Sequence, residues 1–128
     1  RSKTYMQLQI LGRCLIDSMI ILDGRVIISH LSRKELEFYN ASHSDLDGII
    51  DQLRTAKGTE VAIFIYETDT NEHKVSLRSN GLVDVSKIAH FFSGGGHVRA
   101  AGCTMIGTVH DVINNLTPHI VAQLKQIV

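Results

Sequence analysis

The sequence lacks net charge: thirteen Lys and Arg balance thirteen Asp and Glu across 128 residues. Proteins that coat long DNA or RNA carry a basic excess, so any anion site here must be local, a pocket rather than a whole surface. Cysteine is scarce. Cys14 and Cys103 stand far apart and form no Cys-x-x-Cys pair, which excludes a disulfide framework or a Cys-rich zinc site and fits a reducing, cytoplasmic compartment. No apolar run approaches the roughly 20 residues that cross a bilayer, and no charged-then-apolar leader is present, so no membrane association is expected. Repeats, low-complexity tracts and obvious linkers are also missing. What remains is 44% hydrophobic and 20% charged, the composition of a globular domain, in a length suited to one core. Opening on Arg1 rather than Met, the chain reads as a piece of a longer protein, although removal of a tag would look the same.

The hydrophobic pattern predicts one α/β domain, a mixed sheet of about five strands flanked by helices. Leu8, Leu11 and Leu15 predict a helix over Lys3–Leu15. Met19–Leu22 and Val26–Ser29 read as a hairpin around Asp23-Gly24. Ser32 and Glu35 form a capping box for a helix reaching about Asn40, and a further helix is expected over Asp45–Ala56, stopped by Gly58. Val61–Tyr66 is an uninterrupted apolar strand for the sheet interior. His73–Asn80 alternates, placing Val75 and Leu77 on the core side with His73 and Ser79, and Ser76, Arg78 and Asn80 on the other. A short helix follows from Val85 to Phe92, capped by Asp84. Then come a glycine-rich turn, a strand over Ala101–Ile106 and a helix over Val109–Val128, in which Pro118 marks a kink or a second start.

The chemistry concentrates in Ser93-Gly94-Gly95-Gly96-His97-Val98-Arg99-Ala100-Ala101-Gly102. Three consecutive glycines carry a backbone entropy cost of about 0.5–1 kcal/mol each relative to Ala. Such a run suits a chain that turns at positive φ and lets a ligand approach its backbone, where bare N–H groups can cradle an anionic oxygen. A helical turn beginning near His97 would add to that field. His97 can donate to a phosphate or stack on a base, and Arg99 is near in sequence. On the preceding strand, Arg78 offers a planar fork for two phosphate oxygens, flanked by Ser76 and Asn80. The bland alternatives are an ordinary turn, a core histidine and a solvated strand face.

Ser76-Leu77-Arg78-Ser79 followed by Gly94-Gly95-Gly96-His97-Val98-Arg99-Ala100-Ala101-Gly102 resembles the signature of the DHH-associated C-terminal domain, nearest the nano-RNase and phosphoadenosine-phosphate (pAp) phosphatase branch of the DHH phosphoesterases. Asp47-Gly48-Ile49-Ile50-Asp51-Gln52-Leu53-Arg54, Gly58-Thr59-Glu60-Val61-Ala62 and Glu67 follow the same pattern, so the resemblance covers most of the chain, 1–128. It implies a substrate-binding domain whose residues 1–15 arrive as a helix from an absent N-terminal DHH domain. That domain would hold two metal ions, commonly Mn²⁺, and perform the hydrolysis, while this chain binds no cofactor or metal and carries no catalytic residue. By position, Arg78 would clamp a phosphate with Ser76 or Ser79 and Asn80 beside it, Gly94, Gly95 and Gly96 would cradle the substrate, and His97 and Arg99 would contact it near the cleft. The expected partners are short oligoribonucleotides or pAp, the DHH domain, and a second copy in a homodimer.

The chain departs from the family's pattern: the Asp-His-His string that names the family is absent. Ser93 stands where members often have another glycine, and the Asn-Asn that follows the histidine in cyclic-dinucleotide phosphodiesterases is replaced by Arg99-Ala100-Ala101, which disfavours cyclic di-AMP. Competing readings are a stand-alone nucleotide-sensing module and a structural dimerisation domain. His97, Cys103 and His110 match no common zinc spacing. His110-Asp111 reads as a polar helix face, and His30, His43, His73, His90 and His119 support no functional assignment. Phe91 and Phe92 read as core and core rim, and Tyr5, Leu8 and Leu11 as core or an interdomain surface.

Overall fold

Thr4 starts the first helix, α1 (Tyr5–Ile16), with a reciprocal cap: its hydroxyl accepts from the Gln7 N–H at 3.1 Å, and the Gln7 side chain accepts from the Thr4 N–H at 3.0 Å. The computed structural model describes residues 2–127; Arg1, Val128 and the side chain of Ile127 lie outside the described residues, so the predicted last helical position is not among them. α1 buries Ile10 and Cys14, with Met6 and Leu11 partly covered, whereas Leu8 and Leu15, expected to face inward, are exposed. Two apolar stripes run along this helix and only one can meet the sheet. The Ser29 hydroxyl, donating to the Cys14 carbonyl at 2.9 Å, ties the Cys14 side down.

The hairpin forms as the Asp-Gly signal predicts. β1 (Met19–Ile21) pairs antiparallel with β2 (Val26–Leu31), and Asp23 and Gly24 take φ of 56° and 85°, the positive values of a primed turn. Ser32 and Glu35 cap α2 (Arg33–Phe38) reciprocally. The helix expected over Asp45–Ala56 is instead broken into a 3-10 turn, His43–Leu46, and α3 (Ile49–Leu53). Gly48 sits between them at φ 87°, a left-handed conformation that ends a helix. The apolar period survives the break, since Leu46, Ile49, Ile50 and Leu53 are all buried.

β3 (Val61–Asp69) lies inside the sheet, parallel to β2 and antiparallel to β4 (Glu72–Ser79), and Val61 to Ile65 are buried on both faces. Asp84 caps α4 (Val85–Phe91), its carboxylate accepting from the N–H of Ser86 at 2.9 Å. The glycine run, expected to be a turn or a helix start, is an edge strand: β5 (Gly95–His97) pairs antiparallel with β6 (Ala100–Ile106). The sheet therefore has six strands, in the order β1-β2-β3-β4-β6-β5. α5 (Val109–Ile127) continues through Pro118, and the Thr117 hydroxyl donates to the Ile113 carbonyl at 2.7 Å beside it.

Two cores result, one on each face of the sheet. α4 and α5 cover one face, with Val112, Leu116 and Ile120 of α5 fully buried, each such side chain contributing about 1.5–3 kcal/mol. On the other face, α1 and α3 pack on Ile27, Leu31, Ala62 and Phe64. This second layer reaches β4 only at the end that bears Arg78 and Asn80, leaving the rest of that face of β4, and of β6 and β5, partly open. Among the described residues no helix is long and apolar enough to cross a membrane.

Candidate functional site

Strand register decides which side chains share the open face, because directly opposed residues point the same way. Arg78 pairs with Ala100, and Ala100 pairs with His97. Ser76 pairs with Gly102, which pairs with Gly95. Arg78 and His97 thus stand on one face two strands apart, about 10 Å at the usual strand spacing, with the small Ala100 between them. A third row adds Lys74 opposite Thr104. The floor of this crevice is Ser76, Gly102, Ala100 and Gly95. Over Gly95 there is open space, and a Cβ built there meets nothing within 4 Å.

The wall on the β3 side comes from α3 and its flanks. Half-buried Arg78 donates through Nη1 to the Leu77 carbonyl at 3.2 Å, and its Nε lies 3.5 Å from Asp51 Oδ1. The same Asp51 oxygen accepts from Arg54 Nε at 3.2 Å. One carboxylate thus faces two guanidinium groups, leaving local positive charge. Farther along, the rings of His43 and Tyr66 lie 5.2 Å apart. Burial, with Asp47 nearby, raises the Tyr66 phenol above its usual pKa.

The other residues named from sequence have different placements. Ser79 lies on the opposite, core side: it is buried, and its hydroxyl accepts from the Gly81 N–H at 3.1 Å. The Asn80 amide donates to the carbonyls of Thr59 at 2.7 Å and Arg54 at 3.0 Å, fastening β4 to the end of α3. Arg99 sits in the β5–β6 turn with its guanidinium over Gly81, 3.3 Å from where a Cβ would stand. Its carbonyl accepts from the Ser79 N–H at 2.9 Å, and the Val98 carbonyl accepts from the Val85 N–H at 3.0 Å, so this turn is anchored to β4 and α4.

Gly94 and Gly96 are sites of close approach. The Gly94 N–H donates to the Ala89 carbonyl at 2.8 Å, so it is committed to the end of α4 rather than free in a nest. A Cβ on Gly94 would lie 2.1 Å from the Gly102 carbonyl oxygen, and one on Gly96 (φ 144°) 2.5 Å from that of Ala100. Beside Gly95 and Gly96, Ser86, Lys87 and His90 of α4 line a shallow recess. Lys74, Thr104 and Arg54 also face the crevice and were not singled out from sequence. Lys74 and Thr104 continue the same period-two alternation by one step, whereas Arg54 reaches the site only through tertiary packing; Lys87 and His90 stand on α4, across the sheet from the crevice. Among the described residues no three His, Cys, Asp or Glu side chains converge as a metal site requires.

The fold is a half-open mixed sheet with an arginine-bearing strand facing a glycine-rich edge, and the comparisons name its class. The DHHA1 domain family matches residues 23–127, so the chain belongs to the DHHA1 family. A curated relative, the bifunctional oligoribonuclease and PAP phosphatase NrnA of Thermus thermophilus, is 31% identical over 107 residues, covering 84% of this chain and 31% of the relative. Among solved structures, an exopolyphosphatase-related protein from Bacteroides fragilis superposes with a TM-score of 0.85 at 24% identity, covering 94% of this chain and 36% of that one. A pGpG-specific phosphodiesterase, PggH, from Vibrio cholerae superposes with a TM-score of 0.64 at 11% identity, covering 93% of this chain and 39% of that one. The chain therefore spans about a third of the length of the proteins it matches. Its similarity to NrnA agrees with the DHH-associated domain of that branch, and phosphoester hydrolysis is the activity that the name of this relative records.

Proposed function

We propose that this chain is the substrate-binding domain of a DHH-family phosphoesterase and that its open sheet face holds a nucleotide for hydrolysis by an attached DHH domain. The observation that carries this reading is the register Arg78–Ala100–His97, which sets a guanidinium and an imidazole on one face across a floor of small residues. Arg78 exchanges the long contact to Asp51 for two phosphate oxygens, a geometry its planar fork matches. Ser76 and Lys74 add a hydroxyl and an ammonium along the same strand. His97 contacts the substrate from the far rim, and the His43–Tyr66 pair offers a flat surface for a base. The metal ions, commonly Mn²⁺, would be held by the DHH domain, whose contribution is an activated water. The ligands this face fits are pAp and short 5′-phosphorylated RNA in a cytoplasmic setting. Ser79 and Asn80 take no direct part in this reading.

The test is calorimetric titration of the chain with pAp and with a short 5′-phosphorylated RNA. Wild type binds at one site with a shallow salt dependence, because few phosphates are neutralised. Arg78→Ala weakens binding at least tenfold and Arg78→Lys recovers only part of it, since the bidentate fork is lost. Equal affinity in wild type and Arg78→Ala would refute the proposal.

A further inference from the structure

The outermost strand of the sheet is bare. β5 is paired with β6 on one side only, and Gly95, Gly96 and His97 are all exposed. Gly95 opposes Gly102 on the crevice face, and Gly96 opposes Ala101 on the face covered by α4. A chain passing over this edge from the crevice at the two glycines therefore meets backbone and no side chain. On the α4 side it enters a recess of about 320 Å³ lined by Ser86, Lys87, His90, Gly95 and Gly96, at the small end of the size range of ligand pockets. Lys87, His90 and Phe91 stand three and four residues apart on one exposed face of α4. Phe91 is 68% exposed, and the His119 ring of α5 lies 4.4 Å from its ring, so an aromatic surface continues the recess.

Charge singles this edge out in a chain with no net charge. Between Asp84 and Asp111 there is no Asp or Glu, whereas Lys87, His90, His97, Arg99 and His110 all fall in that stretch. The Asp84 carboxylate accepts from the N–H groups of Ser86 at 2.9 Å and Lys87 at 3.3 Å, and among the described residues Lys87 makes no ion pair. An ammonium, an imidazole and an open aromatic ring side by side match single-stranded nucleic acid, whose phosphates seek cations and whose bases seek a flat apolar face. We propose that the α4 side of the β5 edge is a second subsite for single-stranded RNA. The part of the chain that continues past the crevice crosses the edge at Gly95 and Gly96, sets a phosphate between Lys87 and His90, and stacks a base on Phe91. This inference rests on the crevice reading above and extends it: pAp, a single nucleotide, ends inside the crevice, whereas a longer RNA gains contacts beyond it.

Calorimetric titration with pAp and with 5′-phosphorylated RNAs of two and five nucleotides separates the two sites. Wild type binds the five-nucleotide RNA at least about tenfold tighter than the two-nucleotide RNA, with a salt dependence steeper by about one phosphate. Lys87→Ala and Phe91→Ala each remove most of that gain and leave pAp affinity unchanged, which also shows that the fold is intact. A five-nucleotide RNA bound no tighter than the shorter one, or a gain that survives both substitutions, overturns this subsite and leaves the crevice standing. If the wild-type chain binds neither pAp nor either RNA, the crevice reading falls and this subsite falls with it.

Discussion

At the residue scale, the three consecutive glycines look alike in sequence and differ in what they tolerate. Gly94 and Gly96 lie against β6, so Gly94→Ala and Gly96→Ala force backbone apart and should each lower stability by about 1–3 kcal/mol, read from denaturant midpoints. Gly95→Ala adds a methyl where there is room and should change stability by no more than about 0.5 kcal/mol. Gly95→Val should fold as well but weaken pAp binding, since its side chain rises into the crevice between Ser76 and His97. The triple-glycine motif was legible as a site of close approach. What the sequence hid is that the approaching backbone at Gly94 and Gly96 is the protein's own strand, because nothing local tells a nest from an edge strand.

At the element scale, the join between α4 and β5 carries visible strain. Ser93 closes α4 with φ 65°, a left-handed conformation that favours glycine by about 1–2 kcal/mol. The departure noticed in the motif thus falls where glycine belongs. Ser93→Gly should raise stability by about 1 kcal/mol in chemical denaturation, without altering the pairing of β5 with β6. Capping was the most legible feature of the chain: Ser32 with Glu35, and Asp84, act as their spacing predicts. Helix continuity was less so. The Asp45–Ala56 pattern is periodic enough for one helix, and a single left-handed glycine at 48 divides it. The faces of β4 were readable because a strand side chain has only two directions. The inward face of α1 was not, because both of its stripes are apolar and only tertiary contact with Ser29 separates them.

At the scale of the whole molecule, the sheet buries titratable groups on the side away from the crevice. His30 and His73 bring their rings within 5.8 Å, with His110 of α5 nearby. Burial first, and then the positive field of His73, lower the His30 pKa below its ordinary 6.5, against opposing pulls of Glu35 and Glu67, with His110 adding the smallest effect. The unfolded chain therefore takes up this proton more readily than the folded one. The stability due to a neutral His30 is complete above about pH 6.5 and is lost as pH falls from there through the lowered folded value. Thermal melts at pH 7.5 and 5.5 should show the decline, and His30→Gln should flatten it. The carboxylates whose hydrogen bonds lower their pKa, Asp84 and Asp111 at helix starts and Glu67 on the Arg33 N–H, lose their contributions only in more acidic solution, so the two effects separate.

The strand order also bears on how the molecule assembles. From β3 onward each strand pairs with its neighbour through a short path, and β4, β5 and β6 come together within one stretch of chain. The parallel contact of β2 with β3 must wait for the segment carrying α2 and α3 to loop back, a more distant closure. By loop closure alone, the pairing that brings Arg78 beside Ala100 should form no later than the contact of β2 with β3, a preference of about a few tenths of a kcal/mol that φ-values in the two pairs of strands would report.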